Sequence, residues 1–310
     1  MRVLFWGTPE FAVPPLRALV GEGFDVVGVV TQPDKPVGRS RSKVEAPPIK
    51  QIAVDESLAV FQPHKPRDPD FIAQIRALEP DISVVVAYGH ILSSEVIDLP
   101  RLGTLNIHAS LLPALRGAAP IQASIRDGHT ETGVTIMRMV KALDAGPIIL
   151  QAPTPIPADE TYGELQLRLA EMGALALIEA LALIDIGQAT ETPQDDLLAT
   201  YASKVGREQA RVDWSADALI VSRIIRAYDP RPGAFTEAES GEVKLFGARL
   251  APRTSDRPAG EVLQIDAEGL TVACGSGAVR IANVHPAGKR RITPLEWGRG
   301  RGIRVGERLF

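Results

Sequence analysis

Short apolar, β-branched runs return at intervals through the first half of this chain, and stretches with helical spacing separate them. Val3–Trp6, Asp25–Thr31, Ala59–Phe61, Ile82–Ala87, Leu105–His108, Gly133–Val140 and Ile148–Ile156 each read as a strand, and Ile82-Ser-Val-Val-Val-Ala87 is the strongest. Helical patterns follow the Gly7-Thr-Pro-Glu10 turn through about Leu19, then cover Ile49–Glu56, Pro69–Leu78, Ile121–Arg126 and the long Tyr162–Ile186. Gln32–Pro47 is polar, basic and Pro-containing, and reads as a loop. This alternation predicts the α/β class, with a doubly wound, mostly parallel sheet covered by helices on both faces.

The rhythm stops at Gly187–Gly206, which is rich in Gln, Thr, Asp and Pro. Beyond it come one helix, Ala216–Ala227, and five short strands cut by Gly and Pro: Ala234–Ala238, Val243–Leu250, Glu261–Ile265, Leu270–Ala273 and Ala278–Val284. That punctuation predicts a small β-barrel of the OB-like kind. The expected organisation is a first domain over 1–187, a linker over 188–206 and a barrel domain over 207–310, a comfortable division for 310 residues. The single cysteine, Cys274, rules out an internal disulfide and fits a cytoplasmic setting. The first residues form too short an apolar run for a signal peptide, and Glu179 and Asp185 interrupt the most apolar helix, so no membrane association is expected.

Charge is unevenly divided. The net −4 argues against bulk nucleic-acid binding, yet residues 1–206 carry −8 and residues 207–310 carry +4. Lys35, Arg39, Arg41 and Lys43 form a cluster with no acid inside it, and eight cations face two Glu between Arg280 and Phe310. Local fields of this kind attract polyanions.

The chemistry concentrates in Thr104-Leu-Asn-Ile-His-Ala-Ser-Leu-Leu-Pro113 and Leu143-Asp-Ala-Gly146. In an extended strand Asn106 and His108 point to one face. An amide can donate to a developing oxyanion, and an imidazole can move a proton near neutral pH. Asp144, from a neighbouring loop, could orient the ring and raise its pKa. These are parts for acyl transfer to an amine without a covalent enzyme intermediate. The first turn lacks G-x-G-x-x-G, so a dinucleotide site is unsupported, and no His/Asp/Glu set has metal-ligand spacing.

These motifs resemble those of the folate-dependent formyltransferases almost from end to end. The resemblance rests on Gly7-Thr-Pro-Glu-Phe11, Val29-Val-Thr-Gln-Pro-Asp34, Val84-Val-Val-Ala-Tyr-Gly89, Asn106-Ile-His-Ala-Ser-Leu-Leu-Pro113, Arg116-Gly-Ala-Ala-Pro-Ile-Gln122, Glu131-Thr-Gly-Val-Thr-Ile-Met137 and Leu143-Asp-Ala-Gly146. In the second half it rests on Ala210-Arg-Val-Asp-Trp214, Ile225-Arg-Ala-Tyr228 and Pro286-Ala-Gly-Lys289. It implies a catalytic trio of Asn106, His108 and Asp144. It also implies 10-formyltetrahydrofolate as co-substrate, bound by Ser110, Leu111, Leu112 and Pro113 with Tyr88 and Leu92 bordering the pterin, and no metal. The flanking matches narrow the acceptor to initiator methionyl-tRNA, contacted by Arg39, Arg41, Lys43, Lys204 and Lys289, with the protein a monomer. A small-amine acceptor, such as a sugar nucleotide or purine precursor, and a catalytically silent nucleic-acid-binding module are the alternatives. The basic loop speaks against the former and the intact trio against the latter. Trp297-Gly-Arg-Gly-Arg-Gly-Ile303 departs from the helical stretch usual in the family.

Overall fold

The computed structural model describes residues 1–37, 43–252 and 257–310. They form two compact units. One comprises 1–117, 132–154 and 166–201; the other comprises 118–131, 155–165 and 202–310. The stretch expected to be a linker is thus shared, with 188–201 packed in the first unit and 202–206 in the second.

The first unit is built on a seven-stranded sheet. In chain order its elements are β1 (Arg2–Gly7), α1 (Val13–Gly21), β2 (Asp25–Val30), β3 (Lys35–Val37), β4 (Lys43–Glu45), α2 (Pro48–Asp55), β5 (Val60–Phe61), α3 (Pro69–Ala77), β6 (Ile82–Val86), α4 (Ser94–Ile97) and β7 (Thr104–His108). After α5 (Pro120–Arg126), which belongs to the second unit, come β8 (Glu131–Arg138), β9 (Ile148–Pro155) and α6 (Tyr162–Asp185). The strand order is β5-β2-β1-β6-β7-β8-β9. Pairing is parallel from β5 to β7 and turns antiparallel at β7–β8.

Every residue of β6 is buried, as a central strand covered on both faces requires. On one face Trp6 stands edge-on to Phe71 of α3 at 5.8 Å and to Tyr88 at 5.2 Å. Phe71, Ile72 and Ile75 complete that layer, and Asp68 caps α3 by accepting from Asp70 N. The sequence reading misses the β3–β4 ribbon, whose register runs Lys35↔Glu45 to Val37↔Lys43. Its strands are three residues each and carry Pro and Lys, so no alternation of apolar residues announces them.

The second unit contains α5, α7 (Ala218–Ala227) and a five-stranded antiparallel sheet ordered β10-β11-β14-β13-β12. The strands are β10 (Ala234–Ala238), β11 (Gly241–Leu250), β12 (Val262–Asp266), β13 (Gly269–Ala273) and β14 (Ala278–Pro286). Residues 306–310 close this sheet. Phe310 and Glu237 exchange main-chain hydrogen bonds of 2.9 and 3.0 Å, while Leu309 N donates to Gly260 O and Val262 N to Glu307 O, both at 2.9 Å. The chain end therefore bridges the β10 and β12 edges, as the expected small barrel requires. A short helix, α8 (Pro294–Arg299), stands where the sequence departs from the family pattern. Thr293 and Glu296 form a full capping box at its start, a signal present in Thr-Pro-Leu-Glu and not read.

Candidate active site

Strand β7 places the amide and the imidazole. Leu105 and Ile107 are buried on one face, and the alternation sends Asn106 and His108 to the other. Asn106 is half-buried, opposite Val85 of β6 and Met137 of β8. His108 is buried opposite Thr135 at the carboxyl end of β7, where open α/β sheets present ligand sites.

The chain beyond His108 folds back onto it. Ser110 Oγ donates to Ala114 O at 2.6 Å, and Ser110 O accepts from Thr135 Oγ1 at 2.6 Å. Leu112 is held at both main-chain groups: its N donates to Thr135 Oγ1 at 3.1 Å and its O accepts from Gln151 Nε2 at 2.9 Å. The peptide between Leu112 and Pro113 is cis. Leu115, at φ 60°, then presents its carbonyl to His108 Nε2 at 3.0 Å. A carbonyl only accepts, so the ring proton sits on Nε2 and Nδ1 is the basic nitrogen.

Asp144 reaches the same ring. Its Oδ2 lies 3.7 Å from His108 Nδ1, beyond hydrogen-bond distance, and accepts instead from Gly117 N at 2.8 Å. The carboxylate acts on the imidazole as a nearby charge. The sequence reading expects Asp144 to raise the His108 pKa. The structure gives a lowered value overall, because burial of the ring outweighs the Asp144 charge and the Leu115 hydrogen bond, which both push it up. His108 is thus held neutral near pH 7, in the form that accepts a proton.

Asp144 itself has φ 48° and Leu115 φ 60°, so both partners of the ring are non-glycine residues in the left-handed region. Gly146 serves the same turn differently: a Cβ there would lie 1.8 Å from Arg138 O. Gln194 spans the turn. Its Nε2 donates to Asp144 O at 2.8 Å and Gly146 O at 2.7 Å, while its Oε1 accepts from Arg116 Nε and Nη2 at 3.0 and 2.8 Å. Sequence reasoning missed Gln194, Thr135, Gln151 and Thr200. Only Thr135 lay inside a motif already noted.

The remaining expected residues are placed as follows. Tyr88 and Leu92 have side chains in the apolar core, 1% and 5% exposed. Burial pushes the Tyr88 hydroxyl up to about 12, so it is no acid–base group near neutral pH. The Tyr88 carbonyl accepts from Thr8 Oγ1 at 2.9 Å and Gln32 Nε2 at 3.2 Å. His90 Nε2 lies 3.1 Å from Gln32 Oε1. Lys204 and Lys289 are exposed on the second unit. Lys43 lies in β4, and Arg39 and Arg41 fall outside the described residues. Among the described residues no three His, Cys, Asp or Glu are grouped to hold a metal ion.

Comparison with known proteins adds to this geometry. Residues 1–181 match the family model described as formyl transferase, and residues 204–302 match the model described as formyl transferase, C-terminal domain. The chain is 45% identical to the methionyl-tRNA formyltransferase of Moorella thermoacetica, over 94% of this chain and 93% of the relative. It is 44% identical to that of Magnetococcus marinus, over 99% and 98%. Among solved structures it resembles HypX from Aquifex aeolicus in complex with tetrahydrofolic acid, with a TM-score of 0.69 and 22% identity, covering 96% of this chain and 46% of that one. It also resembles an N-formyltransferase from Helicobacter canadensis, with a TM-score of 0.65 and 16% identity over 90% and 98% of the two chains. These last two likenesses are of fold.

Proposed function

The chain belongs to the methionyl-tRNA formyltransferase family, and from that premise we propose how its residues perform the reaction. The enzyme moves the formyl group of 10-formyltetrahydrofolate to the amino group of methionine on initiator tRNA. The folate supplies an activated formyl carbon on N10. The methionyl nitrogen adds to that carbon, and the bond to N10 breaks when the tetrahedral adduct collapses. The Asn106 amide N–H donates to the formyl oxygen as negative charge grows on it, and a lost donor of this kind costs about 3–4 kcal/mol in the barrier. His108 Nδ1 takes the proton that the attacking nitrogen sheds and returns it to the departing N10. Asp144 stabilises the imidazolium that exists between those two transfers.

The observation that carries this reading is the state of His108: Nε2 is occupied by the Leu115 carbonyl, and a basic Nδ1 is left beside Asp144 on the strand face shared with Asn106. Ser110–Pro113, fixed by Thr135 and Gln151, is the segment proposed to receive the folate. Tyr88 and Leu92 are proposed to border the pterin. Arg39, Arg41 and Lys43 are proposed to clamp acceptor-stem phosphates, and Lys204 and Lys289 to meet the tRNA body. Residues 1–187 are assigned the catalysis, 188–206 the connection and 207–310 the tRNA-binding barrel. No helix among the described residues is long and apolar enough to cross a membrane, and we assign the protein to the cytoplasm as a monomer.

The test offers 10-formyltetrahydrofolate with charged initiator tRNA, charged elongator tRNA and small amines, using the wild-type protein and His108→Ala. Formylation of initiator methionyl-tRNA alone, abolished in a folded His108→Ala protein, is the expected result. Efficient formylation of a small amine would reassign the acceptor. Turnover by His108→Ala at the wild-type rate would remove the mechanism.

A further inference from the structure

Residues 192–201 run across the first unit and touch both groups that flank His108. The segment is anchored at each end by main-chain pairing. Thr192 and Ile148 exchange two hydrogen bonds of 2.8 Å, and Arg116 N donates to Thr200 O at 2.8 Å. Between these anchors two side chains reach inward. Thr200 Oγ1 accepts from Leu115 N at 2.8 Å, and Leu115 O is the group that fixes His108 Nε2. Gln194 bridges Asp144 O, Gly146 O and the guanidinium of Arg116. Arg116 is 3% exposed and also pairs with Asp196 at 2.8 Å, so the bridge rests on a fixed, buried cation.

We propose that Gln194 and Thr200 are positioning residues for formyl transfer, Gln194 holding Asp144 and Thr200 holding Leu115 so that both neighbours of the His108 ring keep their places. The inference rests on the roles given above to His108 and Asp144. Two features of the backbone require such supports. Asp144 and Leu115 both occupy the left-handed region, which non-glycine residues keep only where their surroundings impose it. The chemistry of Gln194 also fits the task narrowly. Two carbonyls need a donor on one side and Arg116 needs an acceptor on the other, and the carboxamide supplies both. A glutamate would set a carboxylate against two carbonyl oxygens, and an asparagine is one methylene shorter.

A latch that merely fastens the segment would change melting temperature and leave the chemical step alone. The test therefore reads kcat and KM separately for Gln194→Met, Thr200→Val and Thr200→Ser in the full-length protein, beside His108→Ala. Misplacing reacting groups by about 1 Å can cost about 100-fold. Gln194→Met and Thr200→Val are accordingly expected to lower kcat by about 10- to 100-fold with the KM of both substrates nearly unchanged. Thr200→Ser keeps the hydroxyl and restores kcat. In a double-mutant cycle, Gln194→Met in an Asp144→Asn background adds no further loss, because it acts through that carboxylate.

Wild-type kcat in folded Gln194→Met, equal losses in Thr200→Ser and Thr200→Val, or full additivity in the cycle would each overturn the inference. Should Gln194→Met fail to fold, the Thr200 pair decides. An inactive His108→Ala beside a fully active Gln194→Met defeats this inference alone, whereas an active His108→Ala defeats the reading of the site beneath it.

Discussion

Gly146→Ala tests how tightly the Asp144 turn is built. The added Cβ falls 1.8 Å from Arg138 O and 2.9 Å from Arg138 C. Arg138 cannot give way: it ends β8, it pairs with Leu105 of β7, and its N donates to Pro147 O at 2.9 Å. Restoring an ordinary contact requires the 140–146 turn to lift by about 1 Å or more. Asp144 lies two residues before Gly146 and is carried along, so its 2.8 Å bond from Gly117 N is lost. Overpacking of this sort costs about 1–3 kcal/mol in stability. That lowers the melting temperature by about 2–4 °C per kcal/mol in a protein of roughly this size and leaves the chain folded. Activity suffers more, since a displacement of about 1 Å at a catalytic group is worth about 100-fold in kcat, or about 2.7 kcal/mol. Steady-state formylation of charged initiator tRNA, read beside a circular-dichroism melt, measures both effects. A variant with wild-type kcat and wild-type melting would show that the turn yields freely and that the Asp144 position does not govern the reaction.

Neutralising Arg39, Arg41 and Lys43 together is expected to weaken tRNA binding and flatten its dependence on salt, measured by titration at several ionic strengths; an unchanged slope would leave the loop merely solvated. The acid limb of the kcat/KM profile should fall below the ordinary imidazole value, because His108 must be neutral to accept the proton and burial lowers its pKa. Asp144→Asn should move that limb lower still, by removing the charge that opposes burial. The same lowering means that stability declines as pH drops below the ordinary imidazole value, since the unfolded chain takes up the proton first; acid titration of His108→Gln against wild type checks this. Leu309→Ala, at a side chain 1% exposed in the segment that closes the barrel, should cost about 2–5 kcal/mol by denaturant titration. Chelators should leave activity untouched, and a loss restored by added metal would reveal a missed site.

Elements driven by local pattern were legible along the chain. Ile82–Val86 reads as a buried strand because four of its five residues are β-branched and apolar, side chains that fit a pleated, covered surface. The pairing of Asn106 with His108 followed from the period of a strand, which is a covalent property of the chain. The small barrel was visible in its turns. Its closure was not, because residues 306–310 bridge strands whose edges lie some fifty and seventy residues earlier.

The protonation state of His108 illustrates the boundary. The sequence alone named the imidazole and the carboxylate that acts on it. Which nitrogen carries the proton depends on the Leu115 carbonyl, and the direction of the pKa shift depends on burial of the ring in the folded chain. Tyr88 followed a strand that points toward the site, yet its ring packs against Trp6 in the core. Gln194 and Thr200 sit in a segment without periodicity, and they meet Asp144 and Leu115 across 50 and 85 positions. The sequence by itself determined which chemical groups are present and which share a strand face, since both follow from covalent order. Only the tertiary structure decided how those groups are charged, held and aimed, because hydrogen bonds and desolvation are set by neighbours in space.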